Sequence, residues 1–185
     1  MFIQTEATPN PATLKFIPGK SVAPGVPREY RGPDDAAESP LAQRLFEVEG
    51  VTGVFLGADF ITVTKGQGDW QHLKPAVLGV IMEHYLSGAP VTLDQPAQAS
   101  GGPEDFAEAD QEIVQTIKEL LDSRVRPAVA QDGGDITFQG YRDGVVFLNM
   151  RGSCSGCPSS TATLKHGIEN LLRHFIPEVT EVRPV

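Results

Sequence analysis

Cysteine is scarce: 185 residues carry only two, Cys154 and Cys157. Two neighbouring thiols cannot form the disulfide framework on which small secreted folds rely, so a reducing interior suits the chain better. Long apolar runs are also missing. Nothing approaches the roughly 20 residues that would cross a bilayer, so no membrane partner is expected. Basic residues are in deficit, with 15 Lys and Arg against 24 Asp and Glu and a formal net charge of -9 distributed over both halves. Nucleic-acid binding needs clustered cations that displace counterions from phosphates; that partner is not expected, and the acidity reads as solubility. The opening Met1-Phe2-Ile3-Gln4-Thr5-Glu6 shows neither a basic start followed by an apolar stretch nor the Arg-rich, acid-poor character of a transit peptide. The chain is therefore expected to stay in the compartment where it is made.

What is present fits a soluble α+β protein of two small domains. The length suits two cores of under about 100 residues each better than one, and 40% of the residues are hydrophobic. A stretch rich in Gly, Pro, Ala and Gln, without apolar period, reads as a flexible linker over residues 88–105, between domains at 1–87 and 106–185. In the first domain short strands are expected over residues 1–5 and 13–17 around a Pro9-Asn10-Pro11 turn, with loop from 18 to 39. A helix starts at Ser39-Pro40, a good cap followed by a good first helical residue, and carries Leu41, Leu45 and Phe46. Strands over residues 51–56 and 60–65 follow, joined at Gly57-Ala58-Asp59. Leu73, Val77, Val80, Ile81 and Tyr85 then fall at helical spacing. Trp70, just ahead of them, reads as core filler rather than a ligand platform.

In the second domain Ile113, Ile117, Leu120, Leu121 and Arg124 mark an amphipathic helix that should stop before Pro127. After the Asp132-Gly133-Gly134 turn, strands over 136–141 and 145–150 are linked by Arg142-Asp143-Gly144, a strong hairpin signal. A helix bearing Leu164, Ile168, Leu171, Leu172 and Phe175 should end before Pro177, and a last strand takes in Val179 and Val182. A mainly antiparallel sheet with helices packed on one face is the economical architecture for each domain.

The chemistry gathers at Gly152-Ser153-Cys154-Ser155-Gly156-Cys157-Pro158-Ser159-Ser160, between a hairpin strand and a helix. Unpaired N–H groups and the helix dipole at such a place favour thiolate, the form that binds metals. Gly152 and Gly156 leave room for a bulky inorganic group, and Pro158 suits the first helical turn. Three active readings compete with two inert packed thiols. An iron-sulfur cluster takes four cysteine thiolates, so a second copy facing the first across a twofold axis would complete the set. A thioredoxin-like dithiol oxidoreductase shares the Cys-x-x-Cys helix start, but is expected in a βαβ context, whereas here an antiparallel hairpin precedes it. Zinc is the third, with His166 or His174 completing a site, or with four thiolates across a dimer.

The residues also carry a family resemblance. From about 113 to 182 the chain resembles the carboxy-terminal domain of NifU-like (Nfu) iron-sulfur cluster scaffold and carrier proteins. The resemblance lies in Arg126-Pro127, Asp132-Gly133-Gly134-Asp135, the cysteine motif, Thr163-Leu164 and Ile176-Pro177-Glu178-Val179. Thr8-Pro9-Asn10-Pro11, Leu14-Lys15-Phe16, Ser39-Pro40-Leu41-Ala42 and Phe60-Ile61-Thr62-Val63 look like the amino-terminal domain that accompanies it. The resemblance implies a homodimer bridging one 4Fe-4S cluster through Cys154 and Cys157 of each chain. It further implies receipt from upstream cluster assembly proteins and transfer to recipient apo iron-sulfur proteins. Within that family, the missing transit-like sequence leads one to expect a bacterial cytoplasmic member, or one from the mitochondrial matrix if a presequence has been removed. No other site competes. Asp132-Gly133-Gly134-Asp135 lacks the ligands of a calcium loop, Gly66-Gln67-Gly68 is too short for a dinucleotide fingerprint, and four scattered histidines assemble no triad. The chain is therefore not read as an enzyme.

Overall fold

A computed structural model describes residues 1–24, 26–93, 106–153 and 158–185, leaving aside the side chains of 158–161. The chain is α+β and divides into two compact units, Met1–Gln98 and Ala99–Val185.

The first unit is built on a five-stranded, wholly antiparallel sheet. Its strands are β1 (Gln4–Ala7), β2 (Thr13–Ile17), β3 (Arg28–Tyr30), β4 (Val51–Leu56) and β5 (Ile61–Lys65), in the order β1-β2-β5-β4-β3. The turn ahead of β2 is closed by Asn10, whose side chain accepts from the Ala12 amide at 3.0 Å while its carbonyl accepts from that of Thr13 at 3.0 Å. Between β4 and β5 the Gly57 amide donates to the Phe60 carbonyl at 2.9 Å. A Cβ on Gly57 would lie 2.4 Å from the Phe60 ring, so glycine is required there.

Two helices cover one face of this sheet. In α1 (Pro40–Phe46), Ser39 caps the first turn by accepting from the Ala42 amide at 3.1 Å, and Leu41 and Leu45 are fully buried. In α2 (Trp70–Ser87), Leu73, Val77 and Ile81 supply the buried stripe, each worth about 1.5–3 kcal/mol of apolar transfer. Trp70 is the first residue of α2. Its ring lies 6.5 Å from that of Phe16, and its indole N–H donates to the Pro11 carbonyl at 3.2 Å, a packing role.

Two features depart from expectation here. Residues 18–39 are not all loop, since β3 pairs with the outer edge of β4 and a 3-10 turn spans Asp35–Glu38. Three residues are too few to show an alternation, and β3 is held by its environment instead: Tyr30 is buried and donates to Glu38, which Arg28 approaches to 2.7 Å. Burial, reinforced by Glu38, pushes the Tyr30 hydroxyl up to about 12. The linker read from residue 88 onward also begins as part of this unit. Ser39 Oγ donates to the Val91 carbonyl at 2.6 Å and the Leu93 amide to that of Glu38 at 2.7 Å. Residues 94–105 lie outside the described residues.

The second unit holds α3 (Gln111–Leu120), a π-helical turn (Leu121–Val125) and α4 (Arg126–Gln131). These are followed by β6 (Gly134–Arg142), β7 (Val145–Gly152), α5 (Pro158–Phe175) and β8 (Glu181–Pro184). Asp143 and Gly144, at φ 50° and 80°, make the tight turn between β6 and β7 that Asp-Gly announced. A register shift between Phe138 and Gly140 brings Tyr141 onto the core face with Ile136 and Phe138, where Val146, Leu148 and Met150 join them. Val114, Ile117, Leu121, Val129, Ile168 and Leu172 close the same core from the helices.

Three expectations are corrected in this unit. The first helix does not end before Pro127; it runs through the π turn into α4, with Pro127 in the first turn of the renewed helix, where its missing N–H costs little. Phe175 is not core: it is 46% exposed beside the Arg124 guanidinium, 5.3 Å from its ring, and Ile176 takes the buried place. The last strand, β8, pairs with β7 in parallel. A helix between two paired strands returns the chain to the end where it started, so the third strand cannot be antiparallel to β7.

Two measurements test this fold. Ser39→Ala removes both the α1 cap and the tie to Val91, and should lower the stability of the first unit by about 1–2 kcal/mol. The chain's one tryptophan, Trp70, reports that unit alone in a urea titration followed by fluorescence. His84, fully buried in the last turn of α2, has no hydrogen-bond partner for either ring nitrogen among the described residues. Burial first, and then the charge of Arg44, hold its pKa below the ordinary 6.5, against a smaller opposing pull from the backbone of Pro90 and Ala89. The unfolded chain thus binds the proton more readily, so His84's contribution is intact above pH 6.5 and is lost as pH falls through and below it. The same titration repeated from pH 7.5 to 5 should show wild type weakening more steeply than His84→Leu; equal slopes would refute the assignment.

Candidate metal centre

The cysteine motif is flanked by the end of β7 and the start of α5. Cys154, Ser155, Gly156 and Cys157 themselves lie outside the described residues, so the structure tests neither ligand. What it describes is the ground from which their loop departs. The β6–β7 ladder closes on the rung Gly134–Gly152, preceded by Asp135–Arg151. Gly152 has φ 67°, a left-handed conformation in which a Cβ is strained, so this glycine is demanded by the backbone itself.

Ser153, the residue before Cys154, is 2% exposed and bonded twice to the Asp132-Gly133 turn. Its amide donates to the Gly133 carbonyl at 3.3 Å, and its hydroxyl donates to the Asp132 carbonyl. That turn is anchored to α4, since the Asp132 and Gly133 amides both donate at 3.1 Å, to the carbonyls of Val129 and Ala130. Asp132-Gly133-Gly134-Asp135 is therefore a glycine turn, as read from sequence, and its function is to seat the strand that leads into the motif.

Sequence reasoning missed one side-chain pair here. Asp135, buried in β6, accepts a two-pronged bond from Arg126: Nε to Oδ1 at 2.9 Å and the second guanidinium nitrogen to Oδ2 at 3.2 Å. Asp122, one turn earlier, accepts from the third nitrogen at 3.1 Å. The Asp135 bonds first, and its charge with them, raise the Arg126 pKa above its ordinary value. The signal was available as an arginine beside a helix-internal proline, nine residues before an aspartate, but only the fold makes those positions neighbours.

The zinc reading gains nothing from the histidines. His166 and His174 are exposed on α5, His174 with its ring 5.1 Å from that of Phe175. Among the described residues no three His, Cys, Asp or Glu side chains gather to hold an ion. The dithiol reading, by contrast, loses the objection raised against it: β7, α5 and the parallel β8 form a β-α-β crossover, so the motif does sit in such a context. Topology does not separate these chemistries.

A family profile described as "Scaffold protein Nfu/NifU N terminal" matches residues 3–88, and one described as "NifU-like domain" matches residues 117–183. All of this chain aligns with the human "NFU1 iron-sulfur cluster scaffold homolog, mitochondrial" at 49% identity, covering 72% of that protein. The chain belongs to the Nfu family of iron-sulfur cluster scaffold proteins. The Drosophila sechellia relative of the same name is 52% identical over the whole chain, which spans 65% of that relative's length. A NifU-like protein from Saccharomyces cerevisiae, solved by NMR, is 25% identical over 51% of this chain and 87% of its own, with a TM-score of 0.47.

Removing the Ser153 hydroxyl tests the seat of the motif. Ser153→Ala should cost the second unit about 1 kcal/mol, and amide hydrogen exchange at Gly133 and Gly134 should quicken while that of β8 stays as in wild type.

Proposed function

We propose that the chain carries an iron-sulfur cluster as cargo, held by Cys154 and Cys157 of each of two copies, and delivers it to apoproteins. The observation that carries this reading is a count: a scaffold-family chain with only two thiols, three residues apart, can give half the four thiolates that a 4Fe-4S cluster needs. A twofold pair of chains completes the set with no further ligand type. Cys157 directly precedes α5, whose dipole and free N–H groups favour the thiolate at that end. A cluster clamped between copies is released when the copies part, which suits a donor to recipient apoproteins and a receiver from upstream assembly proteins. The relatives' names favour a mitochondrial location over the bacterial cytoplasmic one expected from sequence.

A dithiol oxidoreductase is the second reading, favoured by the β7-α5-β8 crossover around the motif. Anaerobic reconstitution with ferrous iron and sulfide separates the two. The cluster reading expects visible absorption, about four irons per two chains, and a shift to dimer mass. Cys154→Ala or Cys157→Ala should abolish all three, leaving the far-ultraviolet circular dichroism of the apo form unchanged. Reduction of disulfide substrates by a protein that stays monomeric and iron-free after the same treatment would establish the second reading instead.

A further inference from the structure

We propose that Arg126 is a positioning residue for the cargo: through Asp135 it fixes the end of the β6–β7 ladder from which the cysteine loop departs. The inference rests on Cys154 and Cys157 being the ligands. Three observations converge on it. The helix is interrupted by a π turn at Leu121–Val125, immediately before Arg126, and such turns re-aim the residues that follow them. Arg126 then forks onto both oxygens of Asp135, a geometry that fixes direction as well as distance. Asp135, 5% exposed, lies one rung from the Gly134–Gly152 end of the ladder and in register with Arg151, three residues before Cys154.

An ion pair with a buried carboxylate and a half-buried guanidinium adds little net stability compared with a well-packed apolar pair, so stability alone does not explain a helix irregularity spent on aiming one. What the pair supplies is a defined position for the Asp132–Asp135 turn, to which Ser153 is bonded twice. The order of action is Arg126 to Asp135, Asp135 to the ladder end and its turn, and the turn to Ser153 and the chain beyond it. Ligands held this way keep their spacing when the cargo is pulled at; ligands on an unpinned strand do not.

The test uses the full chain, reconstituted anaerobically, with loss of visible absorption to a ferrous chelator followed per folded protein well below the melting temperature. Arg126→Gln and Asp135→Asn should each release the cluster roughly 10–100-fold faster than wild type and alter its visible circular dichroism. Arg126→Lys, which keeps the charge and loses the fork, should fall between. Because the two act as one unit, the double variant should release no faster than either single one. Arg31→Gln, which breaks the exposed pair with Glu29 at 3.2 Å in the first unit, should match wild type. If the wild type takes up no cluster, the ligand reading itself is wrong. If it loads and the Arg126 and Asp135 variants release at its rate, only the positioning role is overturned. If Arg126→Gln and Asp135→Asn fail to fold, Arg126→Lys decides: release at the wild-type rate, or failure to fold as well, overturns the role.

Discussion

The register between β6 and β7 is the constraint on which the second unit depends. The Asp143-Gly144 turn sets it at one end, and the bulge at Gln139 corrects the facing of Tyr141 in the middle. It closes at the other end on Gly134 opposite Gly152. A slip of one residue would turn Ile136, Phe138, Leu148 and Met150 out of the core, so the hydrophobic pattern holds the ladder in place. Because Cys154 follows the last rung by two residues, on the proposed reading a register chosen by packing also sets where the ligand loop departs. Core and site are joined through one ladder, and Arg126 binds to the end of it that matters.

The first unit is assembled by the same local physics. Its strands are joined by turns whose residues match them, Asn10 at one and Gly57 at another, and its two helices pack one face of the sheet. Ser39 links its parts: one hydroxyl caps α1 and receives the chain that leaves α2. Residues 88–93 are thus committed to this unit before the chain moves on. His84 is fully buried in the last turn of α2, where burial and the charge of Arg44 lower its affinity for a proton.

Most elements were legible because their signals are local. The Ser39-Pro40 start, the Asp143-Gly144 hairpin and the helical stripe Leu73, Val77, Ile81 each state their structure within a few residues. What was not legible depends on partners distant in sequence. The strand at Arg28–Tyr30 exists because β4 offers an edge and Glu38 a bond, neither of which its own three residues reveal. Pro127 reads as a stop by local rules, yet the helix continues through a wide turn before it, and Arg126 beside it pairs with an aspartate nine residues on from that arginine. The parallel pairing of β8 follows from the passage of α5, not from the strand's composition. Of the candidate site, the need for glycine at 152 was read directly, the thiols lie outside the described residues, and the Arg126–Asp135 fork and the Ser153 bonds were invisible until the turn was folded.

The β-α-β passage around the motif shows where topology stops being informative. A thiolate at a helix start is stabilised by the same dipole and the same free N–H groups whether it will attack a disulfide or hold iron. Local electrostatics therefore cannot choose between these fates, and neither can the strand order. The two readings differ instead in what they ask of a second chain. A dithiol enzyme is complete with two and gains nothing from a second chain, whereas a cluster is incomplete with two. On the proposed reading, occupancy and association are then one equilibrium: dilution that separates the chains also frees the cargo, and an acceptor that supplies its own thiolates competes for the same bonds. A protein built this way needs no further device for release, because half of every grip belongs to a molecule that can leave.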